Sequence, residues 1–372
     1  MDRDARAATH EAVEVTAGGR LHFGFGNLSL THERLYGAAG VALAAPRLRL
    51  TVAPASEVLV EVASESSDES AAAPSVNDDA TGATADESTV AEETRDTVAE
   101  YAERVCDLLD CPGARVTLHA TLPRHVGLGS GTQTALAVAA GVARLHGIDP
   151  RVREWAPELG RGGRSGVGVA AFERGGFVLD GGHPTERFTA DRPADGAWTV
   201  PPVTAHHSVP DDWRFLLVFP DAPPGRSGDG EDASMRAVVE SADPAVADRI
   251  AGVVTRRLLP AVATGAVDRF GGAVRELGRL NGTWFADEQG GVYRPPVGAV
   301  VASLADAPAV SGVGQSSWGP AVYAVTDTER ADAARAAGER ALDAAGVDGD
   351  VAVVSASDGG ATVRVVDDAT EE

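Results

Sequence analysis

Residues Pro123 to Gln133 read PRHVGLGSGTQ, and the rest of the chain is interpreted from this stretch outward. The residues before it, RVTLHATL, alternate apolar and polar side chains as a strand does, and those after it, Thr134 to His146, carry a strong helical pattern closed by Gly147. Glycines 127, 129 and 131 let the backbone take positive φ and approach a ligand closely. A glycine-rich turn opening a helix gathers free amides and the positive end of the helix dipole at one point, where phosphate binds well. Gly127, Leu128, Gly129, Ser130, Gly131, Thr132 and Gln133 are therefore the candidate phosphate-binding residues. The pattern is not a Walker loop, because no Gly-Lys-Ser/Thr follows, and it lacks the spaced acid of a dinucleotide fingerprint. A tight connection without a ligand would need fewer glycines.

Upstream, residues 13 to 62 read as strands and turns, including RLHFGFGNLSL and the alternating RLRLTVAP. Residues 64 to 96 are nearly all small or acidic, with little to bury, and are expected to form a disordered insertion. A helix is expected from about Thr97 to Leu109. Downstream, GVAAFERGGFVLDGG reads as a second strand pair ending at Gly182, and WRFLLVFP opens a second domain. Helices near 244–263, 265–281 and 328–345, with strands near 321–326, 350–355 and 361–367, complete a mixed α+β pattern.

The 372 residues are enough for two domains, and 44% apolar content is enough for two cores. Fifty-five acidic residues face 32 basic ones, giving a net charge of −23, and every basic residue is arginine. Acids spread along the whole chain fit a salt-rich interior, where repulsion is screened within about 3 Å. This balance argues against nucleic-acid binding, which leaves a basic footprint. The N-terminus, MDRDARAATHEAVEV, has no apolar leader, and no run of 18 apolar residues occurs, so a cytoplasmic protein without a membrane span is expected. Cys106 and Cys111 have no second pair to form a metal site and read as small, partly buried side chains.

The pattern Pro123, Gly127, Leu128, Gly129, Ser130 resembles the second motif of the GHMP kinase superfamily, P-x-x-x-G-L-G-S-S, with Gly131 in place of the second serine. SGVGQSSWGPAVYAV, from Ser311 to Val325, resembles the superfamily's C-terminal glycine motif. That likeness adds Gly314, Gln315 and Ser316 to the phosphate-binding candidates. It also implies a two-domain α+β fold, with a β-rich N-terminal domain and a ferredoxin-like C-terminal domain. The divisions expected are a flexible 1–12, an N-terminal domain 13–200 holding the 64–96 insertion, a C-terminal domain 201–368 and an acidic tail 369–372. Superfamily kinases with a catalytic aspartate carry it at the end of S-G-x-D, whereas this chain reads Ser165, Gly166, Val167, Gly168 and has no lysine to assist phosphoryl transfer.

HVGLGSGTQ, GRGGRSGVGVAAFERGGFVLDGG and VSGVGQSSWGPAVYA are similar to the motifs of one branch, the β-ribofuranosylaminobenzene 5′-phosphate synthases of methanopterin biosynthesis. The likeness runs from Arg20 to about Tyr323 and is weakest across 185–210. It implies a glycosyltransferase that condenses phosphoribosyl pyrophosphate with 4-hydroxybenzoate or 4-aminobenzoate and releases carbon dioxide and pyrophosphate; a small-molecule kinase of the same superfamily is the alternative. The implied partners are small molecules, with homodimerisation suggested only by the family.

That chemistry asks for a held leaving group, negative charge near an oxocarbenium-like centre, and a placed carboxylate. Magnesium, expected from the family, would use the Ser130 and Thr132 hydroxyls. Asp180 is the candidate for the negative charge, or else caps the turn Gly181-Gly182. Arg164 and Ser165 complete the catalytic set. Arg161, like Arg164, offers a planar fork for carboxylate or phosphate; His125 and His183 are either substrate-binding or structural. GRSGDGED, from Gly225 to Asp232, reads as a flexible loop in which Arg226 and Glu231 close over substrate, or as a salt-adapted surface. His206-His207 reads as a surface loop rather than a metal site, and VRVVDDATEE as a last strand with an acidic tail.

Overall fold

A computed structural model describes residues 7–63, 87–189, 192–223 and 228–366. Its first sheet begins with two long bent strands, β1 (Ala12–Asn27) and β2 (Arg34–Pro54). After β3 (Leu59–Val62) come α1 (Glu87–Leu109), β4 (Ala114–Ala120), α2 (Ser130–Leu145), α3 (Val152–Trp155), α4 (Val167–Arg174), β5 (Phe177–Asp180), β6 (His183–Pro184) and β7 (Val203–His207). The remainder is β8 (Trp213–Pro220), α5 (Gly228–Ser241), α6 (Pro244–Val253), α7 (Leu259–Ala263), α8 (Val267–Gln289), α9 (Val297–Ala305), β9 (Gly312–Gln315), β10 (Val322–Asp327), α10 (Ala331–Ala345), β11 (Gly349–Val354) and β12 (Thr362–Val366). A π-helical turn over Val254–Leu258 joins α6 to α7.

The first sheet runs β12-β1-β2-β4-β3, with β5 and β6 on β2 and β7 on β5; the second runs β11-β8-β10-β9. Apart from Arg214 near its start, β8 is apolar because the second sheet is covered on both faces. Phe215, Leu217 and Phe219 join a core that reaches β1 and α8, while Leu216 and Val218 join one with α9 and α10. This period-2 split of an unbroken apolar run marks a fully buried strand. On the first sheet, α2 packs through an alanine- and valine-rich face, and the absence of a side chain at Gly141 lets Val52 and Val15 lie against it.

Several expectations change. The C-terminal part, 201–368, does not keep to its own domain: β7 pairs with β5, and β12 pairs with β1 from Ala12↔Val366 to Thr16↔Thr362. β1 buries Val13 and Val15 completely, and its free edge is closed by the returning chain. GVAAFER is the helix α4 rather than a strand, since its apolar residues meet β5, β2 and α2 on adjacent turns. α1 starts at Glu87, so 87–96 of the expected insertion is helical; the rest of that insertion, 64–86, lies outside the described residues. Of the expected flexible start, residues 1–6 lie outside the described part, but Thr9 and His10 donate their amides to the Leu145 carbonyl at the end of α2, at 2.9 and 3.3 Å. GRSGDGED becomes helical from Gly228, and the tail 369–372 lies outside the described residues. Among the described residues no helix is long and apolar enough to cross a membrane.

Candidate active site

The glycine loop joins β4 to α2, and its glycines do different work. Gly127 (φ 102°) and Gly129 (φ 77°) have positive φ, as does His125 (φ 57°) at the exposed crest. A Cβ on Gly127 would meet the Ser316 carbonyl at 2.1 Å, and one on Gly319 would meet the Val126 carbonyl carbon at 2.0 Å. The C-terminal glycine motif therefore backs the loop, with Ser316 donating to the Gly127 carbonyl at 2.8 Å and Ala321 to that of Val126 at 3.1 Å. Gly314 lies instead against the Tyr323 ring, and Gln315 accepts from the Arg294 amide at 3.2 Å. Of the three residues expected at phosphate from this motif, only Ser316 touches the loop, and it braces the carbonyl side. Leu128 is fully buried, its carbonyl accepting from the Arg20 amide at 2.9 Å.

Gly131 takes ordinary helical dihedrals in the first turn of α2, contrary to the positive φ expected. It is small because the Arg161 guanidinium lies 3.2 Å from where its Cβ would be. Gln133 is buried and donates to the Gly168 carbonyl at 2.9 Å, so it ties α2 to α4 and is turned away from any phosphate. Thr132 also faces Gly168, 3.2 Å from that residue's missing Cβ, which leaves Ser130 as the hydroxyl of the turn without this packing role.

Arginines ring the helix start. Arg20 donates to the Gly127 carbonyl at 2.5 Å and lines Gly129; full burial brings its pKa down to about 10, which leaves it a cation at neutral pH. Arg161 stacks on Tyr101, 5.3 Å from the ring centroid, and donates to its hydroxyl. Arg164 donates to Glu231 at 2.7 Å, and also to Asp232 and Tyr36. Burial and the neighbouring Asp232 push the Glu231 carboxyl above its usual range while Arg164, Arg161 and Arg20 pull it down, so two acids at the start of α5 face three cations. Arg226 lies outside the described residues.

Asp180 is buried, and its two oxygens are occupied. They accept from the amides of Gly166 (2.8 Å) and Gly182 (2.9 Å), from the Ser165 hydroxyl (3.2 Å) and from the Ala38 backbone. Ser165 in turn accepts from the Val167 amide at 3.2 Å, closing the turn that leads into α4. Both residues hold the 162–166 loop against β5. Burial raises the Asp180 pKa to about 6 in spite of these donors. His183 is buried with its ring edge-on to Tyr36, 6.3 Å between centroids, and it bonds to the Gly163 backbone. Its neighbour Arg34 ties down the same turn by donating to the carbonyls of Gly181 and Gly182.

The structure thus gathers Arg161, Arg164, Ser130 and Gly131 with three groups not singled out from sequence: Arg20, Tyr36 and His22. Arg20 and His22 sit two apart on β1, which puts both side chains on one face of that strand. Asp180 and Ser165 stand behind this cluster, while His125 is apart at the loop's crest. His206 bonds to the Gly175 carbonyl at 3.0 Å from strand β7, and among the described residues no three His, Cys, Asp or Glu side chains are placed to hold a metal ion.

Comparison with known proteins identifies the fold and the family. The family models "GHMP kinases N terminal domain" and "GHMP kinases C terminal" match residues 96–176 and 258–344. The crystal structure of L. major mevalonate kinase with R-mevalonate superposes with a TM-score of 0.63 at 15% identity, over 95% of this chain and 99% of that one. The fold is therefore that of the GHMP kinases. A beta-ribofuranosylphenol 5′-phosphate synthase of Methanothermobacter thermautotrophicus is 35% identical over 60% of this chain and 67% of its own length, and one of Archaeoglobus fulgidus is 35% identical over 58% and 66%. The chain belongs to the beta-ribofuranosylphenol 5′-phosphate synthase family.

Proposed function

We propose that the protein transfers a 5-phosphoribosyl group from phosphoribosyl pyrophosphate to the ring of 4-hydroxybenzoate or 4-aminobenzoate. The bond between the anomeric carbon and the pyrophosphate oxygen breaks, a bond from that carbon to the ring carbon forms, and the carboxyl group leaves as carbon dioxide. The ring–carboxyl electron pair returns to the ring, so no external base is required. The observation that carries this reading is the cationic helix start itself. Arg20, Arg161 and Arg164 surround it, whereas Gly168, where a superfamily kinase would hold its aspartate, is packed against Thr132.

On this reading the amides opening α2, with Arg161 and Arg20, bind the pyrophosphate and stabilise it as it leaves. Arg164 exchanges Glu231 and Asp232 for an anionic part of the substrate. Asp180 and Ser165 act as positioning residues that keep Arg164 and the 162–166 loop in place. Magnesium binds through few protein carboxylates and chiefly through substrate phosphate, which suits a site offering Ser130, Glu231 and Asp232. These residues would hold it, and its chemistry there is neutralisation of the leaving group. Its partners are then small molecules.

The test is incubation in high salt with phosphoribosyl pyrophosphate and either benzoate, measuring carbon dioxide and pyrophosphate. Equal release of both is expected. No release, together with ATP hydrolysis dependent on an added alcohol, would favour the kinase.

A further inference from the structure

A cleft opens between β1 and α8, walled by Phe25, Phe285, Tyr293 and Trp318 and closed by His22 and Gln315. In a chain that is 23% charged, none of the residues lining it is Asp, Glu or Arg. The walls are arranged edge to face, Phe285 and Trp318 at 4.8 Å between centroids and His22 and Phe25 at 4.9 Å. Such a site repels phosphates and metal ions and accepts a flat apolar ring.

Two features show that the space is built rather than left over. His22, which lines the cleft, has its Nε2 fully buried without a hydrogen-bond partner, and a desolvated polar atom left unpaired is costly. Gly278 lies in the interior of α8, where glycine weakens a helix. A Cβ there would meet nothing nearer than the Tyr323 hydroxyl at 3.6 Å, so no clash demands the glycine; it keeps the cleft open.

The cleft also connects with the glycine loop. The His22 amide donates to Ser316 Oγ at 3.2 Å, and that hydroxyl donates to the Gly127 carbonyl, which also receives Arg20. His22 therefore stands at the end of the cleft next to the cationic site. We propose that this cleft seats the aromatic acceptor, its carboxylate toward His22 and Arg20 and its para hydroxyl or amino group toward Tyr293 and Gln289. This placement rests on the pentosyl-transfer reading for the identity of the ring, and on the cleft alone for its position. It turns the carboxyl-bearing carbon toward the anomeric carbon, which bonds to the ring on the face opposite the departing pyrophosphate.

Calorimetric titration of the full-length protein with 4-hydroxybenzoate in high salt and pyrophosphate tests the placement, with cyclohexanecarboxylate as the non-aromatic probe. Gly278→Ala is expected to weaken 4-hydroxybenzoate binding at least fivefold while its melting temperature stays at or above that of the parent. Trp318→Leu is expected to weaken it at least tenfold, and cyclohexanecarboxylate to bind at least tenfold more weakly than the benzoate. In turnover, both variants raise the KM for the benzoate and leave that for phosphoribosyl pyrophosphate within twofold. Undiminished benzoate binding by Gly278→Ala and Trp318→Leu, or no benzoate binding by the parent protein, overturns the cleft. Ring binding that both variants weaken, without any carbon dioxide release by the parent, upholds the cleft and overturns the reaction.

Discussion

Gly127 and Gly131 are four residues apart in one loop and have opposite reasons to be glycine. Gly127→Ala would place a Cβ 2.1 Å from the Ser316 carbonyl at a φ of 102°, and strain of this kind costs about 1–3 kcal/mol. The expected result is a melting temperature lower by several degrees and loss of turnover. Gly131→Ala improves a helical position by up to about 1 kcal/mol but presses on the Arg161 guanidinium. Its expected result is an unchanged or higher melting temperature with a raised KM for phosphoribosyl pyrophosphate, read from scanning calorimetry and initial rates. Asp180 adds a pH dependence. Burial raises its pKa from 3.8 to about 6, so the folded chain holds this proton more tightly than the unfolded one. Its contribution to stability is full below the ordinary carboxylate range and is lost as pH rises through about 6. Denaturant titrations of Asp180→Asn against the parent from about pH 4 to 7 should show the parent losing stability relative to the variant as pH rises to about 6, with little further change above it. A constant difference would mean that Asp180 is already ionised throughout.

Among the elements, α8 joins the two sheets. Asn281 accepts from the Phe25 amide at 2.7 Å and donates to the Phe25 carbonyl at 3.0 Å, which holds the irregular part of β1 between His22 and Gly24. Asn281→Leu leaves both backbone groups unpaired at a cost of about 1–3 kcal/mol each, and a drop in denaturation midpoint of that order is expected. α5 carries Glu231 and Asp232 onto Arg164. Replacing both acids with Gln and Asn should tighten inorganic pyrophosphate binding in the absence of magnesium, as measured by calorimetry, because the anion then has no internal rival.

For the whole molecule, one core runs from Phe23 on β1 to Phe270 on α8 and Tyr323 on β10, with ring centroids 5.8 and 5.2 Å apart. Because this core crosses both sheets and β12 returns to β1, a single unfolding transition is expected, with coincident fluorescence and circular-dichroism melts. The net charge of −23 sets the salt response: raising potassium chloride from about 0.1 M to molar levels screens self-repulsion and should raise the melting temperature.

The sequence by itself determined what local physics can express. Alternate glycines between an alternating strand and an apolar helix marked the anion loop, the missing aspartate at Gly168 marked the departure from kinases, and the motifs identified the fold. Which side of each residue faces the ligand depended on contacts between segments far apart in the chain. Gln133 turns to Gly168, Ser316 braces Gly127 from across the fold, Asp180 is consumed by four donors, and β12 leaves its neighbours to close β1. Arg20 and His22, more than 100 residues before the loop, carry no local pattern that marks them as part of the site. Only the packing of β1 against the loop and α8 brings their side chains there, because side-chain direction follows from the strand's place in the sheet and not from spacing along the chain.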